Sequence, residues 1–228
     1  MYALPLGACA LLFSPVPRTC KGTLSSRSGT QVLQFSEASE RNKEPILAIL
    51  RAALAGCAQV VEIGAGTGLH AVHFARQLPH LDWQATDRAE HLPHLAARIA
   101  AEGTPNLQVP IELDVMQSPW PTLAADAVYS ANTLHIMSWP EVEALFRGVG
   151  RILGEGGLLA VYGPFRYAGR FTTDSNSAFD RSLRNRDPAS GIRDFEAVNA
   201  LAAAQGLELG ADHEMPANNQ LLVWRRRS

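Results

Sequence analysis

Apolar and polar positions fall in blocks along this chain, and the blocks read alternately as helices and strands. From Asn42 the apolar residues Ile46, Leu47, Ile49, Leu50, Ala53 and Leu54 recur at helical spacing, with Pro45 tolerated in the first turn and Gly56 closing the helix. Val60, Val61 and Ile63 make a short apolar run, as expected of a parallel strand covered on both faces. A helix follows on Leu69, Val72, Phe74, Ala75 and Leu78. Residues 81–86 predict a second strand ending at Asp87, and Leu92, Leu95, Ala96 and Ile99 predict a second helix closed by Gly103. A third strand, weakened by Pro110, covers 107–113 and ends at Asp114; a fourth covers 127–130 and stops before Asn132.

The second half repeats the alternation. Ser138-Trp139-Pro140-Glu141 matches a capping box, opening a helix on Val142, Leu145, Phe146, Val149 and Ile152. Gly154, Gly156 and Gly157 break it before a fifth strand at 158–162. Residues 163–193 are polar, arginine-rich and aromatic, with a helix near 177–186. Asp194 then caps a helix to Gln205, and strands near 207–213 and 220–225 end the chain. The fold expected is α/β: a doubly wound, mostly parallel seven-stranded sheet with helices on both faces and a C-terminal antiparallel hairpin.

The chemistry starts where the first strand meets its helix, at Glu62-x-Gly64-x-Gly66-x-Gly68. Glycine there lets the backbone turn sharply and approach a ligand. A dinucleotide loop needs glycine at its first, third and sixth positions; counting from Gly64, the sixth is Leu69, so the NAD pattern fails. The spacing instead resembles the first motif of class I S-adenosylmethionine (SAM) methyltransferases. On that resemblance Glu62 suits the cationic part of SAM, and Gly64, Ala65, Gly66 and Gly68 suit its sugar and methionine chain.

Later polar residues fall at strand ends, where a doubly wound sheet binds its ligand. Asp87 offers two acceptor oxygens for the ribose hydroxyls; the bland alternative is a solvated acid. Asp114 could take the adenine amine or merely form a turn. Asn132 could line the methionine end of the cofactor, or be a turn asparagine. His135 is the candidate base, if the acceptor must lose a proton, and otherwise a structural histidine.

Composition narrows the function classes. At 228 residues, with 46% hydrophobic and 18% charged residues and a net charge of −2, one domain is expected, without the basic excess of a nucleic-acid binder. No apolar run reaches the length of a membrane span. Cys9, Cys20 and Cys57 lack metal spacing; they point to reduced thiols, a cytoplasmic location and no metal site. Residues 1–34 are expected to be a disordered extension or an over-long start, since the apolar patch 4–13 lacks the basic start of a signal peptide. The methyltransferase domain would then span 35–228.

Ordered blocks across roughly 35–226 resemble the methyltransferase-like protein 26 family: Ser39 to Ile46, Glu62 to Ala71, Asn132 to Trp139, Tyr162 to Phe165, Ser175-Asn176 with Phe179-Asp180, Arg186 to Pro188, and Met215 to Asn219. The resemblance implies a class I fold and SAM binding, with no settled substrate. Arg41 and Asn42 could belong to a segment folded over the cofactor, although helix capping alone explains Asn42. Tyr162, Phe165 and Arg166, with Asn176 and His135, could form the acceptor wall; an ordinary surface loop is the competing reading. The function expected is SAM-dependent methyl transfer to a small molecule. The rival is a SAM-binding or silent protein of the same fold working through a protein partner. The oligomeric state is not legible.

Overall fold

A computed structural model describes residues 33–227. The expected extension at 1–34 falls outside them except for its last two residues. Seven strands form one sheet in the order β3-β2-β1-β4-β5-β10-β9: β1 Gln59–Ile63, β2 Asp82–Asp87, β3 Ile111–Glu112, β4 Ala125–Ala131, β5 Leu153–Gly163, β9 Leu207–Met215 and β10 Asn219–Arg226. β1 pairs in parallel with β2 and β4, β2 with β3, and β4 with β5, whereas β10 runs antiparallel to β5 and β9. The helices are α1 Glu37–Ala53, α2 Leu69–Gln77, α3 Leu92–Glu102, α4 Trp139–Ile152, α5 Asp174–Arg186 and α6 Phe195–Ala204. This is the class I methyltransferase architecture foreseen from the sequence.

Side-chain alternation along the central strands divides the core in two. On β5, Leu158, Ala160 and Tyr162 face a cluster shared with Leu50 of α1, Phe74 of α2 and Leu95 of α3. Leu159 and Val161 face the other cluster, with Phe146 of α4, Val198 of α6 and Trp224 of β10. Removing each such large side chain from water contributes about 1.5–3 kcal/mol. The strands bearing the candidate acids are thereby held between two helical layers.

Four elements differ from expectation. The first helix begins at Glu37, not Asn42, because the Ser36 side chain accepts from the Ser39 amide at 3.2 Å. Asn42 is therefore a buried position inside the helix and caps nothing. The third strand is only two residues long: Pro110 has no N–H to give, and upstream only a single bridge, Trp83 to Leu107, remains. β5 begins at Leu153, so the three glycines lie within its irregular start, where the register against β4 slips between Ala125 and Ala127. The 163–193 stretch also builds a small sheet of β6 Phe165–Tyr167, β7 Arg170–Phe171 and β8 Arg193–Asp194.

Candidate active site

A cleft of about 710 Å³ opens across the carboxyl ends of β1, β2 and β4. Its floor is the glycine loop. Gly64, Gly66 and Gly68 all have positive φ, and the amides of Gly64 and Ala65 both donate to the Thr86 carbonyl at 3.0 Å. A Cβ on Gly64 would lie 2.9 Å from the Thr133 side chain, so that glycine is needed for close packing. A Cβ on Gly66 would meet nothing within 4 Å, and the residue lines the open cleft.

Two carboxylates stand beside this loop. Asp87 is buried; its Oδ2 accepts from the Gly66 amide at 2.6 Å and its Oδ1 from the Arg88 amide at 2.8 Å. Each oxygen keeps a further lone pair for a ligand hydroxyl. Glu62 is 2% exposed and accepts from Trp83 Nε1 at 2.8 Å. Burial pushes its pKa up to about 8; the Trp83 N–H opposes this and the Asp87 charge adds to it.

The loop after β4 forms the opposite wall. Asn132 has φ 56° and lines the cleft with Ala131, Thr133, His135, Ile136 and Met137. Residues 189–193 hold this loop by its carbonyls: Arg193 donates to Leu134 and Met137, the Gly191 amide to His135 at 2.9 Å, and Ser190 Oγ to Ile136 at 2.9 Å. The His135 ring stands edge-on to Phe179 of α5 at 5.4 Å and has no hydrogen-bond partner among the described residues. Burial, reinforced by Arg193 and Arg186, lowers its pKa to about 4, so it is neutral near pH 7.

Several expected site residues stand elsewhere. Asp114 does not line the cleft; Leu113 and Val115 do, while Asp114 Oδ1 accepts from the Met116 amide at 2.8 Å in a turn. Arg41 is exposed and pairs with Glu37. Asn42 accepts from His70 Nε2 at 2.7 Å beneath the cleft. Tyr162 and Phe165 are core residues, Arg166 pairs with Asp194 at 2.5 Å, and Asn176 donates to Thr172 Oγ1 and the Asn218 carbonyl. Their side chains are taken by packing and by partners within the 163–219 region, and that side of the cleft is lined instead by Phe179, Asp187, Ile136 and Met137.

The covering segment foreseen at Arg41 and Asn42 lies a few residues earlier. Gln34, Ser36, Ala38 and Ser39 line the cleft from the N-terminal side, and Arg88, His91 and His94 line it beyond β2. The Ser36-x-x-Ser39 spacing was the available signal for a helix start this early.

Sheet order, glycine floor and strand-end acids together define a class I methyltransferase-type α/β protein. Within that class, the chain belongs to the family described as "Protein of unknown function (DUF938)", which matches residues 33–226. Solved structures agree on the fold. An O-methyltransferase family protein from Burkholderia thailandensis is 18% identical with a TM-score of 0.72, covering 84% of this chain and 58% of its own. The apo S-adenosylmethionine-dependent methyltransferase SibL is 22% identical (TM-score 0.71; 84% and 56% covered). An O-methyltransferase family 2 protein from Planctomyces limnophilus, in complex with apigenin, is 17% identical (TM-score 0.73; 83% and 57% covered). This chain spans little more than half the length of each. No helix among the described residues is long and apolar enough to cross a membrane.

Proposed function

We propose that this protein is a SAM-dependent methyltransferase whose acceptor is a small molecule bearing an acidic hydroxyl on an apolar body. The observation that carries the reading is the Asp87 carboxylate at 2.6 Å from the Gly66 amide, with open space above Gly66 where a nucleoside can lie. The residues fit SAM: Asp87 would hold the ribose, Glu62 the cationic amino-acid end, and Gly64, Ala65 and Gly66 the chain between them. Leu113 and Val115, rather than Asp114, would flank the adenine. A cleft of this size, within the roughly 300–1,000 Å³ range of small-molecule sites, has room for a cofactor and a modest acceptor. The SAM dependence stated for SibL, the apigenin in the Planctomyces protein and the likeness to the methyltransferase-like protein 26 family support the same reading.

When bound, SAM supplies a methyl group on a sulfonium. The chain has to hold the acceptor oxygen in line with that methyl and receive its proton. His135 would take that proton; it is neutral near pH 7, walled by Phe179, and fixed through the carbonyls of its own loop. With SAM held by Asp87, Glu62 and the glycine loop, the acceptor's hydroxyl proton would pass to a His135 ring nitrogen as the oxygen takes the methyl group. With a pKa near 4 His135 is a weak base, which favours a phenol-like hydroxyl, near pKa 10, over an aliphatic alcohol. Exposed Ile136 and Phe179 line the cleft, and exposed Phe35 stands between two lining residues, an apolar rim suited to such a body. The scattered cysteines keep a cytoplasmic location part of the proposal.

The test is radioactive methyl transfer from SAM to a panel of phenols, aliphatic alcohols, amines and thiols. Phenols are expected to be methylated, and His135→Asn to lower the rate about 10²–10⁴-fold with SAM affinity kept. A folded His135→Asn variant with full activity removes the histidine from the mechanism; transfer to amines or thiols alone removes the acceptor class.

A further inference from the structure

Arg98 lies on α3, away from the acceptor, yet its side chain is only 8% exposed. Its Nε donates to the Thr67 carbonyl at 2.7 Å, one terminal nitrogen to Glu102 Oε2 at 2.8 Å, and the other to the Gln34 carbonyl at 2.5 Å. Three segments distant in sequence thus meet on one guanidinium: the glycine loop, α3 and the approach to α1. The stem of the side chain is equally committed. A Cβ on Gly68 would meet Leu95 Cδ1 at 2.7 Å and Arg98 Cδ at 3.4 Å, so the last glycine of the loop packs directly on this face of α3.

Two of the three acceptors are backbone carbonyls of residues that line the cleft, Thr67 in its floor and Gln34 in its cover. Ser36 and Ser39, which follow Gln34, line the cleft too. We infer that Arg98 is a positioning residue for the cofactor: it fastens the glycine loop to the 34–39 cover and so sets the width of the nucleoside end. The inference rests on the SAM reading above. A planar fork of donors is what this junction needs, because its acceptors lie in three directions around one group. Lysine keeps the charge but presents it as a point and cannot join all three.

The test uses S-adenosylhomocysteine (SAH) as the probe, with the full chain. For Arg98→Lys we expect SAH to bind about ten- to a hundredfold more weakly. The freed carbonyls should lower the unfolding temperature modestly, but amide exchange should rise selectively at 33–40 and 64–68 while α4 and α6 keep their protection. A merely structural arginine would instead raise exchange throughout α3 without that selectivity. A second measurement needs no variant: SAH should protect 33–36 together with 64–68 in the wild-type protein. Protection of 64–68 alone, or wild-type SAH affinity in folded Arg98→Lys, overturns the inference and leaves the cofactor reading standing. A wild-type protein that binds neither SAM nor SAH overturns both.

Discussion

On the proposed reading, Glu62 would tie cofactor uptake to pH in a way that can be measured directly. Its carboxyl, lifted to about 8 by burial, is mostly protonated at pH 6.5. A ligand that brings positive charge against it favours the ionised form, so binding should expel the proton. Below about pH 8, affinity for SAM should then rise with pH by up to tenfold per unit. Between pH 5.5 and 7.5 the gain reaches about a hundredfold, or about 2.7 kcal/mol at 1.36 kcal/mol per pKa unit. The window closes near pH 7.7–8.0, roughly where an α-amino group such as the ligand's own loses its charge. Titration calorimetry in two buffers of different ionisation enthalpy reads the released proton, and Glu62→Gln should abolish both slope and release. The same raised pKa carries a stability cost. An unfolded glutamate ionises near 4.5, so between 4.5 and about 8 the folded chain holds a proton the unfolded chain lacks, and stability is lost as pH rises through that window. Affinity that stays flat from pH 5.5 to 7.5 with no proton released would refute the placing of positive charge against Glu62.

Other perturbations test separate parts of the site. Asp87→Ala should weaken SAM binding by about 1–3 kcal/mol, since it removes the acceptor for a ligand and for the Gly66 amide together; unchanged calorimetric affinity would dismiss the ribose role. Gly66→Val should still fold, because its side chain enters open space, but at φ 56° it strains the loop and fills the cleft; circular dichroism with SAM titration checks both halves. His70 and His135 are both held to about 4, so an unfolded chain takes protons near 6.5 that the folded chain refuses. Stability should therefore fall as pH drops from about 6.5 to 4, by up to roughly 3 kcal/mol per histidine, and urea melts of His135→Gln should show a shallower fall.

How much of this was legible follows from what each segment touches. Buried central strands such as β1 and β4 read as apolar runs because both their faces are covered, and positive φ at the loop explains its glycines. Asp87 was legible as a strand-end acid next to that loop. Asp114 occupies the analogous place in the chain, but an amide two residues on claims its carboxylate, a choice that strand position does not specify. The cleft wall around 134–137 was the least legible, because it depends on how 163–193 folds back. Arg193, Ser190 and Gly191 bond the 134–137 carbonyls across more than fifty residues of chain, and no local pattern encodes that contact. A covering segment was foreseen, but at Arg41 and Asn42; its true place at 34–39 was hidden because its residues meet the cleft rather than the core.

The family blocks that missed the cleft still explain why it has its shape. His70 Nε2 sits 2.7 Å from Asn42 Oδ1, which only accepts, so Nε2 carries the proton and Nδ1 is left to receive the Tyr129 hydroxyl at 3.2 Å. This chain of polar groups runs from β4 through α2 to α1, inside an otherwise apolar layer. An unpaired polar group there costs about 1–3 kcal/mol, so each member holds the next in place. The consequence falls on α1, whose first turn carries Ser39 into the cleft. Asn42→Leu would strand the His70 N–H without a partner and let that turn shift, loosening the cover without touching a cofactor contact. The motif residue Asn42 thus acts on the site by fixing the helix above it, which is why it reads as functional in the sequence and stands outside the cavity in the structure.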